Sequence, residues 1–364
     1  GERLSRSDGE ALFASDDLVW LGRLAHHRRT ARGGNQVVFA TDRQLNLTNL
    51  CAAGCPSCAA VRDAADERSG YPVPVAEAVR RATELAGGEP ITELHLGGGS
   101  HPAVDWGYYP EVLRAVRAAL PDVGLTALSA GELRRFAERT GRPVDELLAE
   151  LIDAGLTGLG IGAAESVAAA RREPDDHARR WADWSSVHRL AHARGLRTAA
   201  TMRYGDDEEA ADRVDHLLRL RDLQDETGGF ITFIPLRYQP AAAAPADAAN
   251  RPYGPGPAAP AESLKTFAVS RLLLDNVPHL RCCWADHGLS LAQLAFQFGA
   301  DELTAAPTEH RIAHGAEGGG TPDPLSREDL VQAIRDADCR PVERDARYRV
   351  VREYDAPQPL AQRR

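Results

Sequence analysis

The chain has 364 residues and a formal net charge of −10, with 43% hydrophobic and 26% charged residues. That balance belongs to a globular chain with a large core and argues against disorder. No apolar run approaches the roughly 20 residues of a membrane span, the first residues lack a signal-peptide apolar region, and no basic run interleaves with aromatics. A cytoplasmic protein with neither a membrane nor a nucleic-acid partner is therefore expected.

In chain order, apolar periodicity predicts a helix over 17–30, then extended chain over 35–47 around a turn at Thr41 and Asp42. A helix follows over 75–85, and a strand over 92–96 runs into Gly97, Gly98 and Gly99. The alternation continues with a helix over 109–120, a strand over 123–128, a helix over 144–154 and a short strand over 158–162. Helices over 181–194 and 207–226 then alternate with strands over 197–202 and 230–236.

Strand followed by helix with short connections predicts a parallel sheet, either open or closed. Six units precede Pro240, and two more follow through 279–284 and the segment after Phe298, so the repeat count favours an eightfold α/β barrel. The expected organisation is an N-terminal helical extension over 1–34, a barrel over 35–310 and a C-terminal extension over 311–364 packed on it. The Ala- and Pro-rich segment 239–262 sits where a strand-to-helix loop belongs, as a lid or as a tolerated insertion.

Of six cysteines, Cys51, Cys55 and Cys58 fall within eight residues, as C-x3-C-x2-C just after the first strand. Thiolates suit an iron–sulfur cluster or zinc. A structural zinc wants four protein ligands, whereas three leave one cluster iron open. A zinc loop completed by histidine, Cys282, Cys283 or Cys339 is the alternative that spacing alone leaves standing. The context is the glycine run after the next strand, whose bare backbone suits hydrogen bonds to a bound amino group. Together the cysteine loop and the glycine run point to the radical S-adenosylmethionine (SAM) superfamily.

The stretch from Val214 to Phe230, running into Phe233-Ile234-Pro235-Leu236, resembles the aminofutalosine synthase family of menaquinone biosynthesis. So do Thr48-Asn49, Glu93-Leu94-His95, His101-Pro102, Val187-His188-Arg189, Ser270-Arg271-Leu272 and Pro341-Val342-Glu343-Arg344-Asp345. The resemblance implies a TIM-type radical SAM barrel and a [4Fe–4S] cluster on Cys51, Cys55 and Cys58. It further implies that SAM is consumed as a substrate, its 5′-deoxyadenosyl radical adding to the vinyl ether of 3-[(1-carboxyvinyl)oxy]benzoate. The expected partners are a small-molecule anionic acceptor and an electron donor such as flavodoxin or ferredoxin. A radical SAM enzyme that abstracts hydrogen and releases 5′-deoxyadenosine, and a non-enzymatic zinc-binding protein, are the other two readings.

Some positions depart from the family pattern. Ser57 replaces an aromatic residue, Gly160-Ile161-Gly162-Ala163-Ala164-Glu165 replaces a more glycine-rich stretch, and Arg203-Tyr204-Gly205-Asp206 and Arg237-Tyr238-Gln239-Pro240 each lack an expected histidine. Arg203 and Arg237 stand at strand ends where relatives tend to be apolar. Guanidinium groups there suit an acceptor more anionic than the family's, with salt bridges to Asp206, Asp207 or Glu208 as the alternative. The candidate SAM contacts are Gly97, Gly98, Gly99, Ser129, Glu165 and Arg203, and the candidate catalytic residues are Arg203, Tyr204 and His101. Cys282 and Cys283 are expected to pack, and Cys339 to be incidental.

Overall fold

Each wall strand turns apolar side chains outward to helices and a more polar set inward, the period-two alternation of a pleated chain. The computed structural model describes residues 2–51, 72–99, 101–161, 174–238, 258–305 and 324–356. Two helices open it, α1 (Arg6–Ala14) and α2 (Leu18–Gly33), where the sequence predicts one; the missed α1 starts on a reciprocal capping box between Ser5 and Asp8. Strands β1 (Gln36–Ala40) and β2 (Asp42–Asn46) come next, then α3 (Val75–Gly88), β3 (Glu93–Gly97), α4 (Tyr108–Ala119) and β4 (Gly124–Ala127). Helices α5 (Ala130–Thr140) and α6 (Val144–Asp153) lead to β5 (Gly158–Leu159), α7 (Pro174–Ala193), β6 (Thr198–Tyr204), α8 (Ala210–Thr227) and β7 (Phe230–Arg237). The chain continues with α9 (Pro260–Leu273), β8 (His279–Cys282), α10 (Trp284–His287), α11 (Leu289–Ala295) and β9 (Glu302–Thr304), and ends on α12 (Arg327–Asp336), β10 (Arg340–Arg344) and β11 (Val350–Glu353).

The expected turn at Thr41 and Asp42 is a break in one continuing strand, because both halves run parallel to their neighbours. β1 pairs with β9 and β10, whereas β2 pairs with β3. Thr41 makes the handover, its carbonyl accepting from Thr92 N at 2.9 Å. β2 through β5 form one parallel run and β6 through β9 a second. β5 lies beside β6, and β9 closes onto the first strand through β1 and through Ala305 N donating to Asp42 Oδ1 at 2.7 Å. The result is an eightfold α/β barrel of the TIM type, with β10 and β11 extending its wall beyond β1.

Leu45, Leu94, Leu96, Leu125, Ala200, Met202 and Phe233 face outward and are buried against helix residues such as Val112, Leu133 and Leu217. A fully buried leucine or phenylalanine contributes about 1.5–3 kcal/mol, so this interface carries much of the stability. The inward residues at the N-terminal end are charged. Arg344 bridges Glu93 and Glu302, Arg281 pairs with Glu302 at 2.9 Å, and the Tyr348 hydroxyl donates to the same carboxylate at 2.9 Å. Burial opposes the charge on Glu302, but the guanidinium groups of Arg281 and Arg344 together outweigh it and hold the carboxyl well below the usual range. These residues form the floor of the barrel.

Outside the same end, Thr198 Oγ1 sits 2.9 Å from His188 Nδ1 and 2.8 Å from His192 Nε2. Burial, with a smaller effect of the neighbouring His192, depresses His188 well below its ordinary value; burial and then Arg197 lower His192 to about 4. The unfolded chain takes up protons near pH 6.5 that the folded chain refuses, so this contribution is intact above that pH and is lost as pH falls, by about 1.4 kcal/mol per unit per ring. Thermal melts should therefore show stability dropping from pH 7 to pH 5, with a shallower slope for His192→Gln. An equal slope in both proteins would show that the pair does not set the acid limb.

Candidate functional site

The C-terminal ends of β2 and β3 build the most specific feature of the barrel mouth. Gly98 and Gly99 follow β3 with φ of 117° and 106°, backbone that L side chains rarely adopt. Space excludes a side chain as well. A Cβ on Gly98 would lie 2.8 Å from Thr48 N and closer still to the Thr48 carbonyl oxygen, and one on Gly99 would lie 2.6 Å from Cys51 Cβ and 2.8 Å from Cys51 Sγ. Leu47 N donates to Gly97 O at 2.8 Å, and the Tyr109 hydroxyl reaches Gly99 O at 3.4 Å. The glycine run thus lies against the chain that carries the first cysteine. Cys55, Cys58 and Glu165 lie outside the described residues.

His101 follows on the same loop and is buried, its Nδ1 accepting from Ala103 N at 3.0 Å and its carbonyl from Arg139 at 3.1 Å. Burial and then the Arg139 charge lower its pKa, which favours the neutral ring. Ser129 stands at the end of β4, where its hydroxyl and backbone exchange hydrogen bonds with Glu132 in the capping box of α5. The preceding Leu128 holds a left-handed φ of 49°, and its carbonyl accepts from Gly160 N at 3.0 Å. That strained residue joins the ends of β4 and β5 at the rim.

Tyr204 departs from the catalytic role expected of it. Its side chain is fully buried in the helix layer, with the hydroxyl 3.1 Å from His287 Nε2 and the Arg213 guanidinium 5.2 Å from the ring centroid. Alternation along β6 then turns Arg203 inward, toward the lumen. In the ladder Arg203 stands opposite Leu236, and Tyr204 opposite Arg237. Arg237 therefore shares the outward side with Tyr204, so the two arginines expected to suit a more anionic acceptor lie on opposite faces of the wall.

Sequence reasoning missed the polar layer below the glycine run. His95 bridges two strands, with Nε2 3.1 Å from Asp42 Oδ2 and Nδ1 2.5 Å from Thr126 Oγ1. Burial raises the cost of the Asp42 charge, and His95, Arg281 and the Ala305 amide more than offset it, so this carboxyl is held low. The available signal was parity, since His95 lies two residues before Gly97 on the same side of β3. Among the described residues, Cys282 and Cys339 do not face Cys51. Cys339 is buried beside Arg29 at the start of β10, the far end of the barrel, and Cys282 is fully buried in β8 among outward-facing core residues.

A family model described as "Radical SAM superfamily" matches residues 45–220, and one described as "CofH/MqnC C-terminal region" matches residues 227–357. The chain is 50% identical to the "Aminodeoxyfutalosine synthase" of Streptomyces coelicolor over 99% of its own length and 93% of that protein. It belongs to the radical SAM aminodeoxyfutalosine synthase family. The protein of the same name from Thermus thermophilus is 38% identical over 98% of this chain and 94% of its own. The crystal structure of methylornithine synthase superposes with a TM-score of 0.70 at 14% identity, covering 94% of this chain and 95% of that one, a likeness of fold. As a family member the chain is an enzyme with a [4Fe–4S] cluster and SAM. The residues present fit that chemistry: a thiol donor on the loop after β2, and beside it a cradle that any Cβ would fill.

Proposed function

We propose that this enzyme cleaves SAM reductively and adds the 5′-deoxyadenosyl group to an olefinic carboxylate of the enolpyruvyl-ether type, forming a carbon–carbon bond. The cluster supplies the electron that breaks the sulfonium bond of SAM. Cys51, Cys55 and Cys58 would hold it, leaving one iron for the amino and carboxylate groups of SAM. The observation that carries the reading is the close contact of Gly98 and Gly99 with Thr48 and Cys51, which bares backbone groups beside the cluster loop. The match to aminodeoxyfutalosine synthases over almost the whole chain supports addition as the fate of the radical.

Within this reading Gly97, Gly98 and Gly99 bind SAM, with Ser129 at the end of β4 and with Glu165 as a further contact. Ser129 acts through its position at the start of α5, since its hydroxyl and its backbone N–H are both engaged with Glu132. His101, locked by the Ala103 amide, shapes the loop next to the glycines. No helix among the described residues is long and apolar enough to cross a membrane. A cytoplasmic site of action and a small electron donor such as flavodoxin or ferredoxin suit the cluster's need for reducing equivalents.

The test is an anaerobic reaction of reconstituted enzyme with SAM and reductant, with and without 3-[(1-carboxyvinyl)oxy]benzoate, read by mass. An acceptor-dependent adenosyl adduct is expected. Free 5′-deoxyadenosine as the only adenosyl product would replace addition with hydrogen abstraction.

A further inference from the structure

The charged floor of the barrel is closed, and the layer above it is polar and open. Glu93, Glu302 and Arg344 are 6%, 0% and 1% exposed at their side chains. One step up the strands, Gln44, His95 and Thr126 are only half-buried, with 25% of the His95 side chain exposed. They stand side by side on β2, β3 and β4, because the ladders pair Gln44 with His95 and His95 with Thr126. Gly97 lies two residues higher on the same face of β3, where a Cβ would come within 3.3 Å of Gln44 Nε2. The open lumen therefore begins at the level of His95, beneath the glycine run.

The hydrogen bonds of this layer restrict where its protons sit. A carboxylate only accepts, so His95 Nε2, 3.1 Å from Asp42 Oδ2, carries a proton. Nδ1, 2.5 Å from Thr126 Oγ1, then has two states. A bare Nδ1 accepts the Thr126 proton, and the hydroxyl offers the lumen only lone pairs. A protonated Nδ1 donates to Thr126 Oγ1 and frees the hydroxyl proton for a ligand. The charged groups around the ring are Asp42 on β2, Glu93 on β3 with Oε2 3.8 Å from Nε2, Arg281 on β8, Glu302 on β9 and Arg344 on β10; β4 contributes none. Three carboxylates against two guanidinium groups leave one negative charge. An anion entering alone adds to it, whereas an anion accompanied by a proton leaves the sum unchanged.

We propose that Thr126 and His95 form a proton-linked subsite for a carboxylate of the acceptor, the Thr126 hydroxyl donating to that carboxylate while His95 Nδ1 takes up one proton. Thr126 touches the ligand; His95 and Asp42 are positioning residues. The His95 level lies two residues below Gly97, about 6–7 Å along a strand, the reach of a substituted benzene ring. An olefin held beside the glycine run thus places the ring carboxylate, rather than the enolpyruvyl one, on Thr126. The identity of the ligand rests on the radical-addition reading; the proton-linked binding of a carboxylate does not.

Binding without turnover tests it. Reconstituted enzyme saturated with SAM, without reductant, is titrated calorimetrically between pH 6 and pH 9 with 3-[(1-carboxyvinyl)oxy]benzoate and with 2-phenoxyacrylate, which lacks the ring carboxylate. The native enzyme should prefer the first, and the preference should shrink as pH rises, by up to about 10-fold per unit for one linked proton. Thr126→Val should bind both compounds within about 2-fold of each other at every pH, whereas Thr126→Ser should keep the preference and its pH dependence. His95→Gln retains a donor for Asp42 and should lose the pH dependence; it decides the case in which Thr126→Val does not fold. SAM affinity should be unchanged in all three. A native preference that is absent or indifferent to pH, a preference kept by Thr126→Val, a pH dependence kept by His95→Gln, a loss of SAM affinity, or failure of both compounds to bind the native enzyme overturns the assignment. Adduct formation is read separately under reductant: a pH-linked preference with no adduct from the native enzyme keeps the subsite and removes the addition reading.

Discussion

Gly99→Ala should abolish SAM cleavage, by about 100-fold or more, in a protein that still folds. Two costs coincide at this position. A residue with a Cβ at φ of 106° is strained by roughly 1–3 kcal/mol, and the new atom would overlap Cys51 Cβ and Sγ. Neither neighbour is the far end of a flexible side chain, so relief requires the glycine loop and the cysteine loop to separate. A displacement of about 1 Å in a reacting constellation costs on the order of 100-fold in rate. Gly98→Ala should act the same way through Thr48, whose backbone is still less able to yield. The measurements are iron and sulfide content, SAM affinity and SAM cleavage, alongside a thermal melt. A variant with native melting, a full cluster and near-native cleavage would show that the close approach is a packing detail. By contrast Gly34, at φ 63° and ψ −142° in the cap of α2, has nothing within 4 Å of its Cβ position, so its replacement by Ala meets backbone strain without any overlap.

Arg344→Met should be the most destabilising single change outside the mouth, by about 3–5 kcal/mol. Its guanidinium is 1% exposed and joins two carboxylates, Glu93 at 6% and Glu302 at 0% side-chain exposure. Removing the cation leaves buried negative charge with less compensation, a far larger cost than the net worth of the intact pair. Arg281 still faces Glu302 at 2.9 Å, so Glu93 is the group left most exposed to the loss. For a chain of this size the melting temperature should fall on the order of 10 °C. A double variant with Glu93→Gln should recover part of that loss, because the stranded carboxylate is then neutral. Additive losses in the double variant would show that the floor is stabilised by packing rather than by charge pairing.

The sequence by itself determined the alternation of strands and helices, because a 3.6-residue apolar period and a two-residue period are local signatures that survive without tertiary context. It also singled out Cys51 and Gly97 to Gly99 as the place to look for chemistry, since three closely spaced thiols and a glycine triplet at strand ends restrict what those loops can do. Elements without strong periodicity, such as α1, were legible only through their caps. The tertiary structure decided what depends on strand facing and pairing. It separated Arg203 from Arg237 and moved Tyr204 into the helix layer, because one step along a strand reverses the side that a residue presents. Likewise, Arg344 and Glu93 are about 250 positions apart in sequence and meet only because the last parallel strand adds beside the first. No local pattern encodes that pairing, since its energy comes from excluding water around charges that the closed barrel brings together.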